Sequence, residues 1–307
     1  MGRSVAVGMR DRGFVLILVI FVAALLALLA AIFSTSVRSH LRLAAGAIQG
    51  AKSEAIADAG VQLAILALVA GPQGPGRVRR FPIDGSPVSC AIDEQSRVTL
   101  RIQDAGGRIS LNLAGERLLL ALFIGLGASR EAASRATDLI IDYRDADSNR
   151  RLNGAERPEY EAAGRPQGPK NGPFDTIEEL NQVLALDPAL IAAALPHVTV
   201  HSQTAGLDPR AVLPELAALL SRGVAELPSR PGPVAETGVI ASEFVIGSPQ
   251  RVFLVASEGQ LETGAVFVRE TVVELQSTRT AIPAFKMWKR GVAGAATAGA
   301  IGVLPRC

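Results

Sequence analysis

The chain has few aromatic residues, few histidines and almost no net charge. Aromatic side chains make up 4% of its 307 residues, and there are only three His and two Cys. The formal net charge of +2 provides no basic footprint of the kind that nucleic-acid-binding proteins carry. Two cysteines do not make a disulfide framework, although they are compatible with an oxidising compartment. The sequence leaves open whether Cys90 and Cys307 pair.

The motifs of common catalytic sites are also missing. The chain has no G-x-S-x-G elbow, no Walker A loop and no H-E-x-x-H helix. The pair Gly125 and Gly127 is followed by Arg130 where a dinucleotide fingerprint has its third glycine. A non-enzymatic role is therefore the expected one, although missing motifs do not exclude catalysis.

One long apolar run is present, residues 14–33, with the sequence FVLILVIFVAALLALLAAIF. It has no charge and no proline, and as a helix with about 1.5 Å rise per residue it spans the roughly 30 Å hydrocarbon core of a bilayer. A short basic leader, residues 1–13, precedes it and ends in Gly13. A secretory signal has a shorter apolar region that closes on an A-x-A site, and no such site closes this run.

A helical pattern continues beyond the membrane-length run. Apolar residues recur at three-, four- and seven-residue steps and form one stripe, with charged residues between them. The first firm stop is Gly71, followed by Pro72. Two interpretations stay open from this pattern alone: one continuous helix, or a signal anchor followed by an ordinary amphipathic core helix. The stripe consists of Val37, Leu41, Ala44, Ile48, Ala55, Ala59, Leu63 and Leu66.

The leader, the apolar run and its amphipathic continuation together resemble the class III leader and N-terminal spine helix of type IV pilins and pseudopilins. This resemblance implies cleavage by a prepilin peptidase between Gly13 and Phe14, and a methylated N-terminus on the mature protein. Most family members carry Glu at the fifth mature position, where this chain has Leu18. The K-type minor pseudopilin of type II secretion usually lacks that Glu, and it is the member that this chain resembles.

Strand and helix patterns follow the spine. PVSCAID and SRVTLRIQD alternate as a hairpin does, with Val98, Leu100 and Ile102 on one face. GERLLLALFIGLG and SREAASRATDLIIDYRD then predict two packed helices, the second capped by Ser129. The segment DAGGRISLNLAGERLLLAL resembles the start of the helical domain of the K-type pseudopilin. Nearer the C-terminus, EFVIGS, RVFLVASE and AVFVRETVVELQ predict strands that pair with the one around Leu100.

The loop DADSNRRLNGAE carries a possible metal site. Counted from Asp145 as position 1, oxygen-bearing side chains fall at positions 3, 5, 9 and 12, the ligand spacing of an EF-hand calcium loop. Position 6 is Arg150 rather than glycine, so the pattern alone leaves a solvated acidic turn equally open. The longer segment IIDYRDADSNRRLNGAERPEY resembles the calcium-binding stretch of the K family, which implies a structural calcium ion. The candidate ligands are Asp142, Asp145, Asp147, Asn149 and Glu156, with Asn153 at loop position 9.

The resemblance also implies a fold. The implied fold is α+β and type IV pilin-like. In such a fold a long N-terminal spine helix packs on an antiparallel sheet, and the sheet carries a large helical, SAM-like insertion domain. The predicted division is a class III leader at 1–13, the transmembrane part of the spine at 14–36, the amphipathic spine and first pilin strands at 37–104, the insertion with the candidate calcium loop at 105–222, a linker and the remaining pilin strands at 223–279, and a flexible tail at 280–307.

The function implied by the resemblance is that of a non-enzymatic minor pseudopilin at the tip of the type II secretion pseudopilus. Such a protein initiates assembly and supports protein export across the outer membrane. The expected partners are I-like and J-like minor pseudopilins, the prepilin peptidase, the inner-membrane secretion platform and the membrane, with no nucleic acid. The expected location is the inner membrane, single-pass, with a periplasmic C-terminal domain. Two alternatives stay open: a minor pilin of a type IV pilus, and a membrane-anchored periplasmic hydrolase.

Overall fold

The N-terminal part of the chain is one continuous helix. The computed structural model describes residues 11–71, 81–228, 240–276, 282–292 and 305–307. In it the first helix, α1, spans Asp11–Ala70, about 90 Å at the usual rise per residue. It ends because Gly71 adopts a φ of +61°, the left-handed conformation that closes many helices. The interpretation of the apolar run and the amphipathic stripe as one helix is confirmed.

The chain divides into two units, Met1–Ser53 and Glu54–Cys307. Where it is described, the first unit is the N-terminal part of α1, which holds the apolar run and the start of the amphipathic stripe, and large side chains of the run such as Leu16 and Phe33 are exposed. Within the described residues, the one helix long and apolar enough to cross a bilayer is α1, over Leu16–Ala70. An apolar surface around the whole helix is what a membrane span requires.

The second unit contains the end of α1 and the rest of the chain. In chain order its further described elements are β1 (Asp84–Ala91), β2 (Ser96–Asp104), β3 (Ile109–Ser110), α2 (Glu116–Gly125), α3 (Arg130–Arg144), α4 (Arg157–Ala162), α5 (Pro188–Ala194), β4 (Val198–Thr199), α6 (Pro214–Ala225), β5 (Val252–Leu261), β6 (Val266–Glu274) and β7 (Ala284–Arg290). The strands form a five-stranded antiparallel sheet in the order β1-β2-β5-β6-β7 and a parallel pair, β3 with β4.

The five-stranded sheet packs against the C-terminal part of α1. Val61 and Ala64 of the helix are fully buried in one core with Val98, Leu100 and Ile102 of β2. Successive side chains of a strand point to opposite faces, so these three alternate residues present a single apolar face to the helix. The predicted hairpin, the predicted apolar face of β2 and the predicted packing of spine on sheet are confirmed.

A helical insertion separates β2 from β5. Leu122 of α2, Ile140 of α3 and Leu220 of α6 are buried in its core, which is separate from the core under the sheet. α3 begins at the predicted cap, where the Ser129 hydroxyl accepts a hydrogen bond from the Ala132 N–H at 3.2 Å. The predicted α+β fold with a helical insertion in a spine-and-sheet framework is therefore confirmed.

Two predictions near the C-terminus are wrong. The segment EFVIGS does not form a strand of the sheet but contains a short 3-10 turn, Ser242–Phe244. Burial of Phe244 in the core of the insertion turns the backbone away from the sheet. Residues 280–307 are not uniformly a flexible tail, because Ala284–Arg290 form β7 and pair with β6. Residues 293–304 of that tail lie outside the described residues.

The two cysteines form a disulfide. Cys90 of β1 is bonded to Cys307, the last residue of the chain, with Cα atoms 5.1 Å apart. Two main-chain hydrogen bonds hold the C-terminal residues beside β1: the Ala91 N–H donates to the Pro305 carbonyl at 2.9 Å, and the Cys307 N–H donates to the Ala91 carbonyl at 3.0 Å. The C-terminus thus covers part of the outer edge of β1. The sequence left open whether Cys90 and Cys307 are bonded, and the structure shows that they are.

Candidate metal centre

The loop between α3 and α4 folds back onto the last turns of α3. Asp142, on α3, accepts a hydrogen bond from the Arg151 N–H at 3.1 Å. Asp138, one turn earlier, accepts from Arg151 Nε at 2.8 Å and from the Asn153 N–H at 3.1 Å. Two helix carboxylates therefore hold the backbone of the loop, and this fixes the positions of the acidic residues on either side.

Gly154 allows the closest contact in this folded loop. A Cβ atom at this position would overlap the carboxylate of Asp142. The glycine expected at EF-hand position 6 is absent, but the chain has a glycine at position 10 because the loop backbone passes directly against a buried carboxylate. The local geometry is therefore not that of a standard EF-hand loop.

Two carboxylates of this region are almost completely buried. Asp142 is 0% exposed and Glu156 is 2% exposed. Glu156 stands immediately before α4, where its N–H donates to the Glu159 carboxylate at 3.0 Å. Burying an ionised carboxylate is costly unless a cation or several hydrogen-bond donors compensate for the lost water.

Several buried oxygen atoms around Glu156 have no donor in hydrogen-bond geometry among the described residues, although the Asn171 side chain is near enough to Glu156 to lower its pKa in part. They are both carboxylate oxygens of Glu156, Oδ1 of Asp145 and Oδ1 of Asn171. The great majority of buried polar atoms in folded proteins have a partner, so a group of orphaned oxygens requires an explanation. A hard cation supplies one, because Ca²⁺ binds carboxylate and amide oxygens.

The charges of the carboxylates in this cluster also favour a bound cation. Burial raises the pKa of Glu156 to about 7, and repulsion from Asp142, Asp145 and Asp147 contributes to the increase. Burial also raises the pKa of Asp142 to about 6, again with a contribution from Asp145. The pKa of Asp145 is raised as well, by burial and by the charge of Asp147. These carboxylates are close enough to repel one another, and a bound cation would remove that repulsion.

The predicted ligands divide into two groups. Asp142 and Glu156, which are buried, and Asp145, which is half-buried, form a mutually repelling cluster. Asp147 and Asn149 are exposed, and the Asp147 carboxylate accepts the Asn149 N–H at 2.7 Å. Asn153 at loop position 9 is engaged elsewhere, since its amide donates to Asp138 at 3.0 Å. The structure thus separates a buried part of the predicted ligand set from an exposed rim.

Sequence reasoning missed Asn171. This residue reaches the cluster from the turn before the 3-10 helix Ile177–Gln182, and its amide donates to the Asp147 carbonyl at 3.0 Å. It adopts a φ of +47°, which asparagine tolerates better than most residues. Across the described residues, no three Asp, Glu, His or Cys side chains are by themselves placed to hold a metal ion. A cation here would therefore need amide or main-chain oxygens in addition to the carboxylates.

The predicted cleavage residues lie on the first helix. Gly13 and Phe14 belong to the first turns of α1, and the described part of the chain begins just before them, at Asp11. Cleavage between them stays a prediction.

Comparison with known proteins identifies the architecture. Residues 100–203 match the family model described as "Type II secretion system (T2SS), protein K". A search of curated proteins finds no match. Among solved structures, the fold is similar to a chain of the GspK-GspI-GspJ complex from the enterotoxigenic Escherichia coli Type 2 Secretion System, with a TM-score of 0.56 and 16% identity over 83% of this chain and 99% of that chain. The resemblance found in the sequence is thus confirmed: residues 100–203 match the protein K model, and the fold is similar to that of the matched chain of the GspK-GspI-GspJ complex.

Proposed function

We propose that this protein is a non-enzymatic minor pseudopilin at the tip of the type II secretion pseudopilus. In this role it is processed by a prepilin peptidase between Gly13 and Phe14. It is anchored in the inner membrane with its C-terminal unit in the periplasm. It starts assembly together with I-like and J-like minor pseudopilins on the inner-membrane secretion platform. The secretion of proteins across the outer membrane then depends on it.

One observation carries this proposal. A membrane-length apolar helix continues without a break into a segment that packs on an antiparallel sheet, and residues 100–203, from the end of β2 into the insertion, match the protein K model. A membrane-anchored hydrolase has no need for a continuous spine of this kind. The solved complex with a similar fold contains GspI and GspJ, which supports I-like and J-like partners here.

The tip position is supported by Leu18. A buried charged group in the membrane is costly unless it is paired, so an N-terminal amine packed among spine helices needs a carboxylate from a neighbouring subunit. In most pseudopilins a Glu at the fifth mature position provides it, whereas Leu18 has no carboxylate to offer. A subunit that cannot receive another subunit above it belongs at the end of the fibre.

Cysteine cross-linking tests the tip position. Both native cysteines are in the disulfide, so a new cysteine would be the one free thiol. Single cysteines at the exposed positions Val37, Leu41 and Ile48 should cross-link to cysteines in the I-like and J-like spines, with no ladder of repeated self-products. Leu152→Cys, on an exposed loop of the insertion, is the matched control for chance collisions. Self-ladders along purified fibres would overturn the tip position.

Processing separates the pilin-type functions from a hydrolase. The mature protein should begin at Phe14, and Gly13→Val should block maturation. N-terminal sequencing of protein extracted from membranes decides this, and an unprocessed N-terminus would contradict both pilin-type functions.

Deleting the gene then separates type II secretion from a type IV pilus, because the first predicts loss of protein export and the second predicts loss of pili.

The same proposal includes a structural calcium ion held by Asp145, Glu156 and Asn171, with Asp142 beneath them. The orphaned oxygens support this assignment. The ion would supply positive charge to buried carboxylates and tie the loop between α3 and α4 to the turn that carries Asn171. A ligand that binds only the folded state stabilises it by RT ln(1 + [L]/Kd), about 2.7 kcal/mol at a hundredfold excess over Kd.

Thermal melting with and without calcium tests this assignment. The detergent-solubilised chain should melt at a lower temperature after calcium is removed, and Glu156→Gln should abolish most of that difference. Glu161→Gln, on the exposed side of the neighbouring α4, is the matched control and should respond to calcium as the wild type does. Equal melting temperatures of the wild type with and without calcium would leave an acidic turn without an ion. Asp147→Ala shows whether the exposed rim contributes to binding.

A further inference from the structure

A second candidate site lies where the insertion covers the five-stranded sheet. It is a cavity of about 180 Å³ between strands β5, β6 and β7 on one side and the insertion on the other. Sites for drug-sized ligands have volumes of roughly 300–1,000 Å³, so this cavity has room for one amino-acid side chain rather than a metabolite. Its apolar wall is formed by Val198, Val200, Leu254, Val272 and Met287.

Arg108 provides a positive charge in this cavity. Its Nε donates to Gln103 at 2.8 Å, and burial lowers the pKa of its guanidinium. Among the described residues, no carboxylate lies within ion-pair distance of Arg108 and no group accepts a hydrogen bond from its two terminal nitrogens. A partly buried arginine with free terminal nitrogens is suited to bind a carboxylate with two parallel hydrogen bonds.

The acidic residues of the cavity have other cationic partners. Asp175 binds Lys170 at 2.6 Å, while Glu178 and Glu270 share Lys289 at 3.6 and 3.7 Å. None of the three forms an ion pair with Arg108, although the charge of Glu270 raises the pKa of its guanidinium against the effect of burial. An incoming carboxylate would therefore meet an available cation.

β7, the edge strand of the sheet, contributes to the lining of the cavity. In the described residues β7 pairs with β6 on one side only. The register places Met287 opposite Val272 and Phe285 opposite Val273, so Lys286 is the extra residue of a bulge. Lys286, Met287 and Lys289 all line the cavity.

The charge of β7 restricts what can pair with it. Lys286, Lys289 and Arg290 make the sequence of the strand basic, but Lys286 contacts Glu274 at 2.8 Å and Lys289 lies near Glu178 and Glu270. Among the described residues, the cation of the cavity without an ion-pair partner is therefore Arg108, and it attracts an acidic segment rather than a second basic edge. Extended peptides that add a strand to a free edge obtain affinity from main-chain hydrogen bonds and specificity from pockets that take alternate side chains.

We propose that the free edge of β7 pairs with an extended acidic segment of another protein, and that one glutamate side chain or terminal carboxylate of this segment enters the cavity and binds Arg108. The apolar wall contacts the stem of the entering residue. The lysines of β7 exchange their contacts with Glu178, Glu270 and Glu274 for neighbouring acidic residues of the same segment. This inference does not depend on the tip position or on the calcium ion.

Peptide binding to the full-length protein in detergent tests the proposal. The probe is a fluorescently labelled, amide-capped hexapeptide of alternating valine and glutamate, and the control probe has glutamine in place of glutamate. We expect fluorescence anisotropy to show binding of the acidic peptide that weakens with salt, and hydrogen exchange of the β7 amides to slow when it binds. Equal affinity for the glutamine peptide, or unchanged β7 exchange, overturns the proposal.

Variants locate the carboxylate in the cavity. Arg108→Gln should weaken binding roughly tenfold or more, because a charge-assisted hydrogen-bond pair is lost. Lys289→Gln, at the exposed side of the cavity, should weaken binding about threefold. Arg157→Gln, on exposed α4, is the matched control and should have no effect. If Arg108→Gln does not fold, Lys286→Gln and Lys289→Gln combined decide the question, and wild-type affinity in that double variant overturns the proposal.

Discussion

Arg269 of β6 donates a hydrogen bond from Nε to the carboxylate of Asp58 on α1 at 2.7 Å. Its Nη2 reaches Glu54, one turn earlier on the same helix, at 2.5 Å. The guanidinium also lies 4.8 Å from the ring centre of Phe267 and 4.9 Å from that of Trp288. One side chain on the sheet therefore binds two carboxylates of the spine and contacts two aromatic rings, one on its own strand and one on β7.

Replacing Arg269 should weaken the attachment of the sheet to the spine. Arg269→Met keeps most of the apolar stem but loses the ionic hydrogen bonds, and we expect the free energy of unfolding to fall by about 1.5–3 kcal/mol. Arg269→Lys should recover only part of the loss, because an ammonium group cannot bind two carboxylates as a planar fork does. Urea unfolding of the detergent-solubilised protein measures both. Arg290→Met, which removes an arginine stacked on Phe267 alone, is the control, and an equal loss in that variant would contradict the role of the two carboxylates.

Removing the disulfide should destabilise the protein. Cys90 and Cys307 are 217 residues apart, and a cross-link over a long loop restricts the unfolded chain. The double variant Cys90→Ser with Cys307→Ser should lose about 2–4 kcal/mol of unfolding free energy. A reducing agent should lower the melting temperature of the wild type and leave that of the double variant unchanged. Identical denaturation midpoints for the two proteins would show that the bond does not contribute to stability.

A methyl group at Gly154 should disrupt the candidate metal centre. Gly154→Ala places a Cβ against the Asp142 carboxylate, so the loop must move away from α3. We expect loss of the calcium-dependent rise in melting temperature, together with a destabilisation of about 1–3 kcal/mol from overpacking. Gly172→Ala is the matched control, because the nearest atom to its Cβ, the Lys170 carbonyl oxygen, would be 3.8 Å away. Wild-type calcium dependence in Gly154→Ala would mean that the loop backbone does not position the ligands.

The calcium-free protein should lose stability as the pH rises. The pKa of Glu156 is about 7 in the folded protein against an ordinary 4.5, and that of Asp142 is about 6 against 3.8. The folded state therefore holds these protons more tightly, and the free energy of unfolding should fall between about pH 4 and pH 7. Calcium requires the ionised carboxylates, so the stabilisation by calcium should grow over the same range.

Melting temperatures of ion-free protein between pH 5 and pH 8 measure this dependence. Burial lowers the pKa of His197 and of His201, which gives a slope of the opposite sign near pH 6. The comparison with Glu156→Gln cancels the histidine effect, because both proteins retain it. The wild type should lose more stability than the variant as the pH rises, and parallel curves would contradict the assignment of a raised pKa to Glu156.

The local pattern of the sequence was sufficient for the spine and the first hairpin, whereas the helical insertion was expected from the family resemblance. Unbroken apolarity over 14–33 and a stripe that ends at Gly71 predict a helix whatever surrounds it, because the period and the stop are local. Val98, Leu100 and Ile102 likewise alternate strictly, so their common face could be predicted. The acidic loop could be predicted because its carboxylates lie within one short segment of the chain.

The tertiary structure decided the features that depend on distant partners. β7 escaped prediction because the bulge at Lys286 breaks the alternation of its side chains, and only pairing with β6 makes it a strand. Asn171 enters the metal centre from a separate turn, and the bond between Cys90 and Cys307 joins residues 217 positions apart. Burial, too, is a property of the packed chain: the sequence shows Asp142 and Glu156 as acidic residues, but only folding removes their water and raises their pKa values.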